Sequence, residues 1–586
     1  MKTILKYLYP QRFRMLVGFI IKVGGTVIEL FIPYILTHIL KNVVGSGNLK
    51  LILFWGVMML TCAGVGCMCN IIANRMAAGV AKNASQNLRH DLFDKTLSLS
   101  SSQRDRFTVA SLESRITTDT YNIHSFLGMM QRMGVRAPIM LFGGLAITLV
   151  MDTYLSLIMA ACLPFIFAII YFIRQKGNPL YVKVQKSVDN MVKVVREDSQ
   201  GIRVIKALSK NEYERQRFEN VNQALSKSEK KAGITMGLVN PLMTLLMNIG
   251  TVTVVAVSAY RVSGMKSDPE TVIAFIQYFT HISMALMAVT RIFVMYSKCS
   301  ASAKRVEEVL QCTDELPVYS KAEYPDKKTD SFIEFENVCF SYNANANPDK
   351  DIKADTKSLN ADNISFCIKK GENLGIIGAT GSGKTTLLQL LMRFYDTKCG
   401  NIYINGENIR TIEKDRLYSM FGTAMQNDFL YADTVYENID FGRNLGKEKI
   451  ENAAKIAQGY DFITSHPEGF ERTLSQKGTN ISGGQKQRIL IARAIAASPE
   501  ILILDDSSSA LDYKTEASLR TALAQNMTSS TVITVAQRVS AVKDCDLILV
   551  IDNGKIIGHG KHNKLLRTCV EYKEISDSQM GGAIID

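Results

Sequence analysis

Six apolar runs, each close to the length of about 20 residues that lets an α-helix cross a bilayer's hydrocarbon layer, occupy the first half of the chain. They lie at residues 15–36, 51–73, 134–151, 155–173, 236–260 and 272–295. Four carry an internal proline, at Pro33, Pro138, Pro164 and Pro241, which a spanning helix tolerates because neighbouring groups satisfy the freed carbonyl. Connections alternate between short, as in "DTY", and long, with two segments of about 60 residues after the second and fourth runs. Those long segments are rich in Lys and Arg and keep a helical period, so the spans are expected to continue as helices into the cytoplasm. The N-terminal "MKTILKYLYPQRFR" holds Lys2, Lys6, Arg12 and Arg14 and no acid. The positive-inside rule therefore puts both termini and both long segments in the cytoplasm, across a bacterial-type cell membrane.

The remaining composition agrees. Apolar residues make up 47% of the 586 and charged residues 21%, a mixture of membrane and soluble character needing at least two domains. The net charge of +13 sits beside the apolar runs, which points to bilayer anchoring rather than nucleic acid. Eleven cysteines show no metal-ligand spacing and no disulfide framework, and no cleavable signal peptide is expected. Ionisable residues inside spans are costly, so Lys22, Glu29, His281 and Arg291 are candidates for a substrate path. Lys22 and Glu29 are two turns apart on one helix face. The plainer reading is that these groups snorkel or pair with adjoining helices.

After a polar linker at 311–331, short apolar strands alternate with helical patterns from Phe332, the pattern of an α/β domain. The motif "GATGSGKTT" runs Gly378, Ala379, Thr380, Gly381, Ser382, Gly383, Lys384, Thr385, Thr386, after the strand "LGII" and before the helix "LLQLLMRF". Its glycines let backbone amides point at phosphate oxygens, Lys384 adds charge to the β and γ phosphates, and Thr385 offers a hydroxyl to Mg²⁺. A second such helix start, "NISGGQKQR", places Ser482, Gly483, Gly484 and Gln485 at the head of "ILIARAIAA", with Ser482 as its cap. One domain has no evident use for two phosphate-binding helix starts. A sandwich of two domains does.

On these motifs the chain resembles the ATP-binding cassette transporters over nearly its whole length, as a half-transporter of the exporter-fold class. The implied fold is multidomain: an all-α six-helix transmembrane domain at 1–310 with long cytoplasmic extensions, then an α/β P-loop ATPase domain at 332–573 and a tail at 574–586. The resemblance implies that Tyr342 in "FSY" stacks on adenine and that Gln426 in "AMQND" joins the magnesium shell. It makes Asp505 the second magnesium-site carboxylate and "SALD", 509–512, a loop crossing the dimer interface. The regions "SRITTDTYNI" and "REDSQGIRVIKAL" resemble those whose short helices press on the cassettes.

Three departures stand out. Competent family members place Glu after the magnesium aspartate, where this chain has Asp506, one methylene shorter. Gln537 in "VITVAQRVS" replaces the switch histidine and supplies no titratable imidazole. The polar tract at 343–361 is longer than usual and reads as a solvated loop. Ile481 and Gln476 are lesser changes beside an otherwise intact signature. Two losses on one catalytic constellation, with the signature kept, imply a heterodimer. This chain holds ATP and Mg²⁺ in a degenerate site, and its signature serves a partner half that carries Glu and His. A slow homodimeric exporter, an importer on the same fold, and an ATP-gated channel or sensor are the alternatives. The transported substrate is not legible.

Overall fold

A computed structural model describes residues 2–263, 269–313, 316–342, 360–426, 428–507 and 509–580. Most of the 343–361 tract and the end of the tail lie outside the described residues. The chain divides into two compact units, 1–97 with 110–312 and 98–109 with 313–586.

The first unit is all helix. Five described helical stretches are long and apolar enough to cross a membrane, Ile4–Val43, Leu49–Leu97, Val109–Met151, Asn211–Arg261 and Glu270–Leu310. The expected fourth span lies on the continuous helix Thr153–Ala207, which carries the apolar stretch Thr153–Cys162. At 1.5 Å per residue the helix Leu49–Leu97 is about 70 Å long, more than twice a hydrocarbon core, so it continues beyond the bilayer as its periodicity predicts. Pro138 lacks an N–H and is followed by the π-helical turn Ile139–Gly143, through which the helix resumes at Gly144. The first two membrane helices meet through small residues. A Cβ on Gly25 would stand 2.8 Å from the Cβ of Cys69, so only glycine permits this approach.

Below the spans, the π-helical turn Arg115–Asp119 is tied to the long helix Pro269–Leu310. The fully buried Asp119 accepts from Ser302 Oγ at 2.8 Å and from Arg305 Nε at 2.8 Å, and Arg115 pairs with Glu308 at 3.3 Å. Removing Arg305 would leave a buried carboxylate unpaired, at a cost of about 3–5 kcal/mol. This fixed use of 115–119 corrects one expectation. The short helix belonging to the cassette unit is Ser101–Phe107, upstream of "SRITTDTYNI".

Among the described residues the second unit has ten strands: β1 Ile333–Phe340, β2 Ala361–Ile368, β3 Asn373–Ile377, β4 Cys399–Ile404, β5 Glu407–Asn408, β6 Phe421–Ala424, β7 Ile501–Asp505, β8 Thr531–Ala536, β9 Leu547–Asp552 and β10 Lys555–Gly560. An antiparallel sheet runs β2-β1-β4-β5, and a six-stranded sheet runs β10-β9-β3-β8-β7-β6, parallel except at β10. The strand "ILILD" is buried at every position, as a parallel strand covered on both faces must be. A disulfide joins Cys339 of β1 to Cys399 of β4, which oppose each other in register. Cysteine spacing gave no sign of it, because the pairing follows from strand register.

Described residues of the expected 311–331 linker bond to their own cassette: Tyr319 N donates to Arg410 O at 2.9 Å and Arg393 Nη2 to Pro317 O at 2.7 Å. The expected tail boundary at 573 falls inside the helix Val570–Met580, which is held by the fully buried Tyr572 and by Gln579 on the amide of Val539.

Candidate nucleotide-binding site

Sheet register assembles the site. Ile377 pairs with Ala536, Asp505 with Val535, and Ala424 with Leu504, so β3, β8, β7 and β6 end at one level. The residues just past those ends are Gly378, Gln537, Asp506 and Gln426. They meet at the carboxyl edge of a parallel sheet, where open α/β folds bind ligands.

The phosphate loop is shaped by two tight glycines. A Cβ at Gly378 would lie 2.1 Å from Ile551 O, and Gly383 has φ +105° with Asn360 O at 2.6 Å from the same notional atom. Lys384 and Thr385 open the helix Lys384–Leu391. Lys384 Nζ donates to Gly378 O at 2.9 Å and Ala379 O at 2.7 Å, curling over the loop that it would share with a phosphate. Burial pulls the lysine below its ordinary range, opposed by Asp505 and Asp506.

Thr385 Oγ1 donates to Asp505 Oδ2 at 3.0 Å, which gathers two oxygen donors of the kind Mg²⁺ takes. Ser382 Oγ is buried with no hydrogen-bond partner among the described residues. These residues fit a magnesium nucleotide. Burial raises the Asp505 carboxyl above its usual range, and the Thr385 hydroxyl works against that rise.

Asp506 differs in its surroundings. Its Oδ2 accepts from both Gln426 Nε2, at 3.2 Å, and Gln537 Nε2, at 3.1 Å. Burial raises this carboxyl too, with Lys384 and then Gln537 opposing. A single carboxylate oxygen of Asp506 thus takes both amide donors.

A cavity of about 290 Å³ brings together Thr380, Gly381, Gly383, Lys384, Thr385, Thr386, Gln426, Asp505, Asp506 and Gln537. Asn360 also lines it and was missed in the sequence, where it sits unmarked in a polar tract. Its side chain accepts from Tyr342 N at 3.2 Å. Tyr342 itself is not in the lining. Its hydroxyl donates to Gln389 Oε1 at 2.6 Å and lies 3.2 Å from the Thr386 hydroxyl, and its ring meets Tyr395 edge to face at 5.2 Å. Tyr395 in turn donates to Asp105 of the short helix Ser101–Phe107 at 2.6 Å. An aromatic pair thus links the cavity border to that helix, a connection with no sequence motif.

Ser482, Gly483, Gly484 and Gln485 lie outside this cavity's lining. Ser482 caps the helix Gly483–Ala496 as its position predicts, in a reciprocal box with Gln485. A Cβ at Gly484 would stand 3.1 Å from Ala510 O, so "SALD" backs directly onto this helix start.

Comparison with known proteins agrees with this architecture. The family description "ABC transporter transmembrane region" matches residues 15–286, and "ABC transporter" matches 361–509. The chain is 31% identical over 582 residues to the uncharacterized ABC transporter ATP-binding protein YfiB of Bacillus subtilis, covering 99% of each. It is 28% identical to the putative ABC transporter ATP-binding protein exp8 of Streptococcus pneumoniae, over 99% of this chain and 97% of that one. A solved structure of a bacterial Atm1-family ABC exporter with ATP bound superposes with a TM-score of 0.81 at 22% identity, covering 98% of this chain and 99% of that one, which shows a shared fold. The chain belongs to the ATP-binding cassette transporters, as an integral membrane protein of exporter fold whose fused cassette binds ATP and couples its hydrolysis to transport.

Proposed function

We propose that this chain is one half of a heterodimeric exporter and contributes a degenerate nucleotide site. The observation that carries the reading is Asp506. Its carboxylate is one methylene short of the family's glutamate and is held by the amides of Gln426 and Gln537. A displacement of about 1 Å can cost on the order of 10²-fold in rate. Neither amide can take the proton that an attacking water must lose.

In this reading Lys384 and the loop amides hold the phosphates, and Tyr342 stacks on adenine. Thr385, Gln426 and Asp505 hold Mg²⁺, which when bound neutralises charge on the β and γ phosphates. The helix start from Ser482 to Gln485 aims its free amides outward and closes the partner's site, where a Glu and a His complete hydrolysis. Both termini lie in the cytoplasm, and closure of the cassettes drives the spans through alternating access. ATP held in this chain's own site keeps the cassettes partly joined between cycles.

The test uses the purified complex. Asp506→Asn is expected to leave ATP turnover within about twofold, because a base that takes no proton is dispensable. Replacing the partner's corresponding Glu by Gln is expected to abolish turnover. If Asp506→Asn alone stopped hydrolysis, the site would be competent and the reading wrong.

A further inference from the structure

The structure gathers ionisable side chains inside the membrane unit. Lys22, only 4% exposed, donates to Asn70 Oδ1 at 2.6 Å and Asn74 Oδ1 at 3.2 Å on the neighbouring helix. Glu29, on the same face two turns on, pairs with Arg136 of the third spanning stretch. Arg132, one turn before Arg136, sends its Nε to Gly128 O at 2.9 Å and leaves the rest of its guanidinium exposed. Both arginines lie within electrostatic range of Lys22, and His281 lies within range of Glu29 and Arg136. Arg291 stands about 15 Å further along the His281 helix.

The charges do not balance. Three cations face one carboxylate, and among the described residues no carboxylate is paired with Lys22 or Arg132. Lys22 is buried among the helices, where a charge without a counter-charge is costly, so the surplus of cations calls for a counter-anion. The amide oxygens of Asn70 and Asn74 hold Lys22 in place without neutralising it, which keeps its charge available. Glu29 supplies the second half of the pattern. Its Oε1 takes the Arg136 bond, while its Oε2 is buried with no partner among the described residues. A ligand here meets surplus positive charge and one orphan acceptor within the same cluster.

We infer that this cluster is a binding site for an organic anion that also carries an N–H or O–H donor, with Lys22 and Arg132 on the anion and Glu29 Oε2 on the donor. Lys22 and both arginines fall toward the cytoplasmic ends of their spans, so an amphiphile reaches them from the inner leaflet. The inference rests on the exporter reading only for that direction of entry. It is independent of whether Asp506 is catalytic.

The test uses the intact complex in phosphatidylcholine nanodiscs and three C12 probes below their micellar range. They are N-lauroylglycine, its neutral methyl ester, and dodecyltrimethylammonium, with stimulation of ATP hydrolysis as readout. N-lauroylglycine is expected to act at a concentration roughly tenfold below the other two, the effect of one charge-assisted contact. Lys22→Met should raise its half-maximal concentration by a similar factor and Lys22→Arg should not. Should Lys22→Met fail to assemble, Arg132→Gln, at an exposed position, carries the same expectation. Competition by added phosphatidylglycerol would assign the anion to a lipid headgroup. Accumulation of N-lauroylglycine inside inverted vesicles would assign it to cargo. Equal potency of the three probes, no response to the anion, or an unchanged preference in both variants would overturn the site. Subunit masses and the Asp506→Asn turnover, measured on the same preparation, report on the exporter reading separately.

Discussion

The cassette offers two helix starts to phosphate, and they are built differently. The start at Lys384 lies past the end of β3, faces the buried Asp505 and the half-buried Asp506, and has its lysine curled onto its own loop. The start at Gly483 is closed by a Ser482–Gln485 box, carries no charge in its first turn's acidic positions, and packs on the "SALD" backbone outside that cavity. The first has everything needed to hold a nucleotide within one chain. The second has a dipole and free amides and lies outside that cavity, and in the proposed reading its ligand comes from another cassette. In the proposed reading, degeneracy at one site and integrity at the other are separable properties of a single fold.

Mutations that strike only one start test this contrast. Gly484→Asp puts a carboxylate where the second start would meet a phosphate and crowds Ala510 O. Turnover of the complex should fall by roughly 10²-fold or more, as for loss of oxyanion donors, while ATP binding to this chain's own site persists. A fluorescent ATP analogue in binding and turnover assays reads both. Lys384→Ala should do the reverse, weakening binding at this site by about 100-fold, the scale of one or two charge-assisted bonds, and leaving the partner site occupied.

Smaller effects sharpen the picture. Asp506→Glu should raise turnover by less than about tenfold while Gln537 remains, because a restored reach still lacks the histidine partner. A rise to the partner site's own rate, in a complex whose partner Glu is disabled, would contradict the account. Tyr395→Phe deletes the bond to Asp105 and should loosen the helix Ser101–Phe107 by about 1–3 kcal/mol, seen as faster amide exchange across 101–107.

The pH dependence follows from Asp505. Its folded carboxyl is raised by burial, so the folded cassette binds a proton more readily than the unfolded chain. Stability from this group therefore falls as pH rises through the interval between the ordinary carboxylate value and the raised one. Asp505→Asn should make that slope in the nucleotide-free protein's melting temperature shallower by this group's share, while the raised Asp506 keeps its own.

Much of this was legible in the sequence because local chemistry dictated it. "GATGSGKTT" needs its glycines for backbone reasons, and "ILILD" is apolar throughout because both faces of β7 are covered. Asp506 and Gln537 could be singled out as departures from the pattern of the family that the chain resembles. Their shared hydrogen bonds could not, since these depend on β7 and β8 ending level. The helix Ser101–Phe107 escaped notice because its only signal is a serine cap with a glutamine three residues on, and the more helical-looking 114–123 attracted its role. Arg136 went unremarked beside Glu29 because a single span predicts no partner on a helix a hundred residues away.

The central claim is that this chain works beside a different half. Native mass spectrometry of the complex, gently extracted from its own membrane, tests that directly. The account predicts a one-to-one assembly with a second half-transporter of different mass, whose sequence carries Glu and His where this chain has Asp506 and Gln537. An assembly built only of this chain would make those two residues run both sites and would contradict it.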